Sequence, residues 1–469
     1  MIDLRRLRED PEHFKQGARH KGVTVDIDRA VDLDRRIREL QTRRDEARAN
    51  QNRLARESGP KIGQLMGQLK KAEGGQREAL QAELDQLKQA PQMLKAEVQA
   101  AEDQLAQLEP EFRELLLAIP LPPDPDVPVG AGAEDNVELR RWAPAGFDPA
   151  VPFAEQRGFA PKTHIELVES LGLCDFERGV KLAGSRSYSL TGDGMRLHQA
   201  ILRYAFDFMA ERHGFRPMSV PALVREEAMV GTGFFPAGRE QTYQVEETRR
   251  GAGEDLYLAG TGEVGLMGLH AGEILDEADL PLRYVTWSPC YRREAGAAGK
   301  DTAGLYRIHQ FEKVEQVVVC GADEAESRAW HQKMIGYVEA LLQSLELPYR
   351  LLQCCTGDLG VKNADMIDIE CWMPGRGEVG ADGRPTGDFG ETHSASRLYD
   401  FQCRRLNMRY RAGGEGGTGS TTFCHSLNNT VAASPRILIP LLEMHQQADG
   451  TVRVPEALRP YMGGRERIG

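Results

Sequence analysis

No part of this 469-residue chain approaches the ~18–20 consecutive apolar residues that span a bilayer. The N-terminus, MIDLRRLRED, is charged from its third residue and has no apolar run, so it does not read as an export signal. The eight cysteines include no CxxC pair; Cys354 and Cys355 are adjacent and the rest are scattered. That spacing predicts reduced thiols in a cytoplasmic protein and no zinc. No GxxxxGK[ST] is present, and no GxGxxG follows a predicted strand, which argues against a P-loop or Rossmann nucleotide site. An excess of positive charge is also missing. With 59 Lys+Arg against 71 Asp+Glu, the net charge of -12 argues against simple coating of nucleic acid.

What is present is ordinary for a soluble globular protein: 41% hydrophobic and 28% charged residues, in a length that suits two or three domains. The charge is unevenly spread. Residues 1–120 hold 22 basic and 22 acidic groups, so the whole deficit lies beyond them. Residues 31–80 hold 12 basic against 8 acidic, and residues 81–120 hold 3 against 8.

The most regular pattern lies between residues 28 and 118. Leu33, Ile37, Leu40, Arg44, Ala47, Gln51 and Leu54 alternate spacings of four and three. The same alternation runs from Leu80 through Leu84, Leu87, Pro91, Leu94 and Val98 to Leu115. A 3.5-residue repeat keeps one stripe facing a partner helix, so these are the two halves of a coiled coil. Gly74-Gly75 falls at the centre and predicts an antiparallel hairpin with arms of about 65 Å. Gly59-Pro60, Pro91 and Pro110 predict bends. The basic excess sits around Arg53, Arg56, Lys61, Lys70, Lys71 and Arg77. Periodicity leaves two readings open: a dimerisation or spacer element, and an arm that grips an elongated polyanion.

A Pro/Gly-rich stretch, IPLPPDPDVPVGAGAEDN, follows. It divides the chain into an N-terminal domain (1–120), a linker (121–136) and a larger domain (137–469). In the larger domain, 195–214 predicts an amphipathic helix closed by glycine, and 435–447 a helix with proline at its start. The runs LRYVTWSPCYRRE, FEKVEQVVVC, MIDIECWMP and CHSLNNTVAAS predict strands. Strands grouped apart from helices predict an α+β fold, an antiparallel sheet flanked by helices. Arg292 and Glu294, two apart on one strand, would share a face. Arg307, Phe311 and Glu315 follow at intervals of four, and Arg436 opens the last apolar helix. Arginine forks suit phosphate oxygens, an aromatic ring suits a base, and carboxylates suit an amino group or Mg²⁺. For any one of these residues, surface ion pairing is the simpler explanation.

Taken together the motifs resemble bacterial-type seryl-tRNA synthetase, a class II aminoacyl-tRNA synthetase, over nearly the whole chain. GFRPMSVPALV (214–224) is similar to the first class II signature, with Pro221 at a dimer-interface position. SPCYRREAG, followed by GKDTAGLYRIHQFEKVEQ, is similar to the second, and HSLNNTVAASPRILIPLLE to the third. GTGEVGL (260–266) resembles the Thr-x-Glu serine element, and the hairpin resembles the family's tRNA-binding arm. The resemblance implies that Arg292, Arg307 and Arg436 are catalytic. It implies a serine pocket of Thr261, Gly262, Glu263, Arg292, Glu315, Asn428 and Thr430. ATP would meet Arg292, Arg293, Glu294, Arg307, Ile308, Phe311 and Arg436, with Glu391, Thr392, His393 and Ser394. Phe311 would stack on adenine opposite Arg436, and Glu391 and Ser394 would hold Mg²⁺. Implied partners are L-serine, ATP, tRNA(Ser), tRNA(Sec) where it is present, and a second copy of the chain, with no membrane.

The chain departs from that pattern at Gly262, where a larger residue is frequent, and at Thr430 in Asn-Asn-Thr. Thr392 and His393 replace small or apolar residues. An extra stretch between Trp372 and Glu391, with Asp382-Gly383, predicts a protruding hairpin. Two alternatives stay open: a ligase that loads a carrier protein or serves a specialised pathway, and a non-catalytic RNA-binding paralogue.

Overall fold

A computed structural model describes residues 1–246, 255–296, 302–380, 383–413 and 419–469. The chain forms two compact units, one of Leu4–Lys15 and Thr24–Ile119, the other of Met1–Asp3, Gln16–Val23 and Pro120–Gly469. No helix among the described residues is long and apolar enough to cross a membrane. All eight cysteines are free and buried.

The first unit is dominated by two helices, α1 (Ile27–Leu69) and α2 (Gly75–Ala118), of 43 and 44 residues. Asp26 caps α1 by accepting from the amide of Arg29. Gly74 has φ 58, a left-handed conformation that glycine adopts without strain, and it turns the chain between the helices. The predicted seam is the observed one: Leu33, Ile37 and Ala47 on α1 are buried, as are Leu84, Val98, Ala101 and Leu105 on α2. Both helices continue through Pro60, Pro91 and Pro110. Each proline removes one intrahelical bond, and packing along the seam holds the flanking turns. Ion pairs cross the hairpin at Arg29–Glu111 (2.7 Å), Arg43–Glu97 (2.6 Å), Arg48–Glu102 and Lys61–Glu83 (2.9 Å).

The second unit is built on eight strands. In chain order they are β1 (Val137–Trp142), β2 (Arg216–Met218), β3 (Leu282–Tyr291), β4 (Gln310–Cys320), β5 (Tyr349–Gln353), β6 (Asp365–Met373), β7 (Asp388–Tyr399) and β8 (His425–Ser434). Their order across the sheet is β1-β5-β6-β7-β8-β4-β3-β2. Every pair is antiparallel except β2 with β3. A parallel neighbour needs a long crossover, which the chain between Met218 and Leu282 supplies. The four predicted strand runs are β3, β4, β6 and β8, each shifted by at most a few residues. β1, β2, β5 and β7 lack a distinct sequence signal and were found only in the sheet.

Helices α3 (Gly192–Asp207), α4 (Glu324–Ser344) and α5 (Leu438–His445) pack against one face of the sheet. The predicted helix 195–214 starts earlier and ends in a π-helical turn, Phe208–Arg212; Gly214, at φ 65, closes it. The core joins Leu197, Ile201 and Ala205 of α3 and Ile335, Val338 and Leu342 of α4 to Val314 and Val318 of β4 and to Ile367 and Ile369 of β6. Strand period two explains the division of labour. On β4, Val314 and Val318 enter the core and the amide of Gln316 donates to the carbonyl of Met334. Phe311, Lys313 and Glu315 therefore project to the opposite face. Thr430 and Asn428 of β8, opposite Glu315 and Val317, lie on that same face, and the register shifts just beyond them, between Val314 and Glu315.

The Pro-rich stretch belongs to this unit. Leu121 and Asp124 donate their amides to Val361 and Ala364, both at 2.8 Å, and the Asp124 carboxylate pairs with the buried Arg397.

His445, at the end of α5, gives stability a dependence on acid. Its Nε2 bonds the Leu345 carbonyl at 2.9 Å, and its Nδ1 accepts from Arg453 at 3.0 Å, so the ring must be neutral. Burial, and then Arg453, push its pKa down to about 4. Unfolded histidine titrates near ~6.5, so the unfolded chain binds more protons between the two values and stability falls as pH drops through that window. The melting temperature is expected to fall between pH 7 and pH 5, measured by calorimetry. A His445→Gln variant should show a shallower fall.

Candidate active site

The sheet face away from the helices forms the floor of a cavity of about 580 Å³. β5 supplies Arg350, β6 Asp368 and Glu370, β7 Glu391 and Ser394, β8 Asn428 and Thr430, and β4 Phe311, Lys313 and Glu315. Loops add Thr261, Arg292, Glu294, Arg307 and Ile308, and the first residue of a short helix, Glu263–Gly268, adds Glu263.

Most residues named from the sequence therefore meet in one place. Arg293 does not: its side chain is exposed and away from the cavity, and its amide donates to the Gln241 carbonyl at 2.9 Å. Arg292 and Glu294 share the cavity for a reason other than strand alternation. β3 ends at Tyr291, and Glu294 has φ 53, so a left-handed turn brings its carboxylate round to Arg307, 3.3 Å away. Non-glycine residues held there store strain, which concentrates at functional sites. The Arg292 guanidinium lies over the Phe311 ring, 5.2 Å from its centroid, and its Nε donates to the Gly260 carbonyl at 3.3 Å.

On the other side of the cavity Arg436 donates to the carbonyls of Tyr306 (3.1 Å) and Glu391 (3.2 Å). Its guanidinium lies over the Tyr306 ring at 4.5 Å, and its Nη1 is 3.5 Å from the Glu391 carboxylate. Three arginines thus face one space from separate elements. Glu391 and Ser394 are hard oxygen donors of the kind Mg²⁺ takes, and Glu391 remains 44% exposed at the side chain. Thr392 and His393 reach the wall but turn their polar atoms inward. The Thr392 hydroxyl donates to the Ile369 carbonyl at 3.1 Å, and His393 Nδ1 bonds that hydroxyl at 2.8 Å. Burial, and then Arg436, push the His393 ring down to about 3, so it is neutral.

One end of the cavity is lined by buried residues, Thr261, Glu263, Glu315, Asn428 and Thr430. Glu315 is almost fully buried and paired with Lys313; burial raises its pKa and the lysine opposes the rise. Thr261 Oγ1 accepts from the Glu263 amide at 3.2 Å. Asn428 Nδ2 is buried with no partner among the described residues. An unpaired buried donor facing a cavity suits a ligand oxygen. Gly262 lies behind the wall. A Cβ there would fall 2.9 Å from Ser288 Oγ and closer still to Thr286 Cγ2, which explains why a larger residue is missing. Gly262→Ala is expected to push the Thr261–Glu263 segment into the cavity and weaken binding of a ligand at this end at least about tenfold, a distortion worth ~1.4 kcal/mol. Titration calorimetry with that ligand reads it.

Several cavity residues escaped the sequence reading. Lys313 was legible, because it alternates with Phe311 and Glu315. Lys362, whose ammonium is 2.6 Å from Glu263, and Tyr306, between Arg436 and Arg376, lie in loops without pattern. Among the described residues one group of metal-type side chains gathers, Cys354, Asp358 and Asp368. Burial drives the Cys354 thiol up, and burial with Glu391 drives the Asp368 carboxyl up. The extra stretch between β6 and β7 is a hairpin: Gly380 and Arg384 bond at 2.8 Å, Val379 pairs with Pro385, and Gly383 has φ 75. Asp382 lies outside the described residues.

An antiparallel sheet with a cavity of convergent arginines and carboxylates on one face is the core of a class II aminoacyl-tRNA synthetase, and comparison with known proteins agrees. The family described as tRNA synthetase class II core domain (G, H, P, S and T) matches residues 243–445. The family described as seryl-tRNA synthetase N-terminal domain matches residues 1–122. The chain is 43% identical to a serine--tRNA ligase of Deinococcus radiodurans over 100% of its own length and 99% of the relative's. It is 42% identical to that of Streptomyces coelicolor, covering 99% and 98%. Two solved structures are similar throughout. Seryl-tRNA synthetase from Pyrococcus horikoshii, complexed with ATP, has a TM-score of 0.79 at 36% identity, with 100% and 99% of the chains covered. The cytoplasmic serine-tRNA ligase of Naegleria fowleri, in complex with AMP, has a TM-score of 0.80 at 30% identity, with 100% and 98% covered. The chain belongs to the serine--tRNA ligase family.

Proposed function

We propose that the chain activates L-serine with ATP and transfers it to the 3′ end of tRNA(Ser), and of tRNA(Sec) where that tRNA is present. The observation that carries this reading is the convergence of Arg292, Arg307 and Arg436 on one cavity that also holds Glu263, Glu315 and an unpaired Asn428 amide. In the first step a serine carboxylate oxygen attacks the α-phosphorus, the bond to the bridging oxygen breaks, and pyrophosphate leaves. Charge grows on phosphate oxygens, where the three arginines stabilise it from fixed positions. No side-chain nucleophile is needed, because holding two reactants in line supplies much of the rate. Mg²⁺ held by Glu391 and Ser394 would add neutralising charge to the phosphates. In the second step the terminal ribose hydroxyl of the tRNA attacks the activated carbonyl and AMP leaves.

Thr261, Glu263, Glu315, Asn428 and Thr430 form the serine pocket in this reading. A pocket whose polar groups lose their partner rejects analogues lacking the hydroxyl. Phe311 carries the adenine face and Glu294 its amino group. The hairpin is the tRNA-binding element, and the working form is a cytoplasmic homodimer. The test is amino-acid-dependent exchange of pyrophosphate into ATP, followed by charging of purified tRNA. Serine should drive both. Exchange with no amino acid, or with one other than serine, would overturn the reading.

A further inference from the structure

We infer that Lys362 is a positioning residue of the amino-acid pocket: together with Gln402 it holds Glu263 by one carboxylate oxygen and so directs the other at the substrate's ammonium group. The inference rests on the serine-activation reading above.

Lys362 Nζ and Gln402 Nε2 each lie 2.6 Å from the same atom, Glu263 Oε1. Among the described residues Oε2 takes no hydrogen bond, although the residue is buried and lines the cavity with Thr261, Asn428 and Thr430. One donor fixes a carboxylate's distance, and two donors from different directions fix its plane. With Oε1 engaged twice, Oε2 is the oxygen left for a ligand. A substrate ammonium is the matching donor.

The two donors are themselves held. Gln402 is fully buried, donates to the Thr232 carbonyl at 2.9 Å and accepts from Ser426 Oγ at 2.9 Å. The Lys362 ammonium lies 4.0 Å from the centroid of the Phe234 ring. Its main chain is clamped on both sides, because the buried Lys21 ammonium donates to the carbonyls of Gly360 (2.9 Å) and Asn363 (2.6 Å). Lys362 therefore cannot swing away without breaking several contacts.

Electrostatics gives the arrangement a purpose. Glu263 and Glu315 are both buried, and each has its own lysine, Lys362 and Lys313. A buried carboxylate held by no donor would have no fixed orientation in the pocket. Lys362 and Gln402 keep Glu263 aimed before serine arrives, so binding requires little rearrangement.

The test uses full-length enzyme and serine-dependent pyrophosphate exchange. Lys362→Met keeps a stem of similar length and removes the charge. Its serine KM is expected to rise about 100-fold, equivalent to ~2.7 kcal/mol, with the ATP KM within about twofold and kcat within about threefold of the parent. Lys362→Arg restores donors to Oε1 and should recover at least about tenfold of that loss. A Met variant with an unchanged serine KM overturns the inference. So does equal damage in the Met and Arg variants, which would mark a space-filling role, and so does a loss of ATP affinity as large as that of serine. A parent enzyme that activates no amino acid overturns the serine reading itself, and this inference with it.

Discussion

Arg292→Ala is expected to reduce serine-dependent pyrophosphate exchange by at least about 1,000-fold, at the upper end of what loss of one preorganised donor costs. The size of the effect follows from its place. Arg292 follows the end of β3, lies over Phe311 and lines the same cavity as Glu263 and Glu315, so in the proposed reading one guanidinium would serve both reactants. Arg307 and Arg436 are tied to other groups, Arg307 to Glu294 and Arg436 to two carbonyls and Glu391, and neither can move across to replace it. Arg292→Lys should recover little, since a point charge cannot fork between a carboxylate and a phosphate. Exchange kinetics at saturating ATP and serine measure the loss. Activity of Arg292→Ala within about tenfold of the parent would show that the adenylate forms elsewhere or by another arrangement.

Deleting residues 31–115 and joining the ends through a short glycine bridge is expected to separate the two half-reactions. Serine-dependent exchange should persist within about threefold, because no cavity residue lies in the hairpin. Charging of tRNA(Ser) should fall by at least about 1,000-fold, since phosphate contacts supply most of the affinity for nucleic acid. The structure narrows which charges matter. Arg53 pairs with Glu57 and Lys61 with Glu83, whereas Arg56, Lys70, Lys71 and Arg77 make no ion pair among the described residues. Exposed cations without a protein partner are the ones available to phosphates. Glutamine at those four positions should weaken charging with a flatter salt dependence, and leave exchange unchanged. Aminoacylation assays across 50–200 mM salt would show it, and undiminished charging by the deletion variant would remove the hairpin from tRNA recognition.

The hairpin was the most legible part of the chain because its information is local. A 3.5-residue repeat and a central Gly-Gly define two helices and their pairing without reference to anything distant. The arginines and carboxylates of the three motifs were legible through resemblance, and strand alternation placed Phe311 and Glu315 on one face. Alternation failed at Glu294, where a left-handed turn, not a strand, sets direction. Alternation would have turned Arg293 away from Arg292, as is observed, whereas the resemblance assigned it to the nucleotide. The strands β5 and β7 were missed because polar residues such as Arg350, Glu391 and Ser394 face a cavity rather than water, which blurs the usual pattern of buried and exposed positions, and β1 is a mostly exposed edge strand.

Composition and periodicity by themselves determined an acidic α+β protein with a long coiled-coil hairpin, and the ordered motifs determined its family. Only the tertiary structure decided how the pocket is held. Lys362 and Gln402 meet Glu263 across 99 and 139 residues of sequence, and Lys21 reaches the loop beside them across more than 300. Those meetings depend on assembly of the eight-stranded sheet, which brings distant loops and short helices to one cavity. Buried charges gain their partners only when that assembly is complete, so the chain's local sequence carries no sign of them.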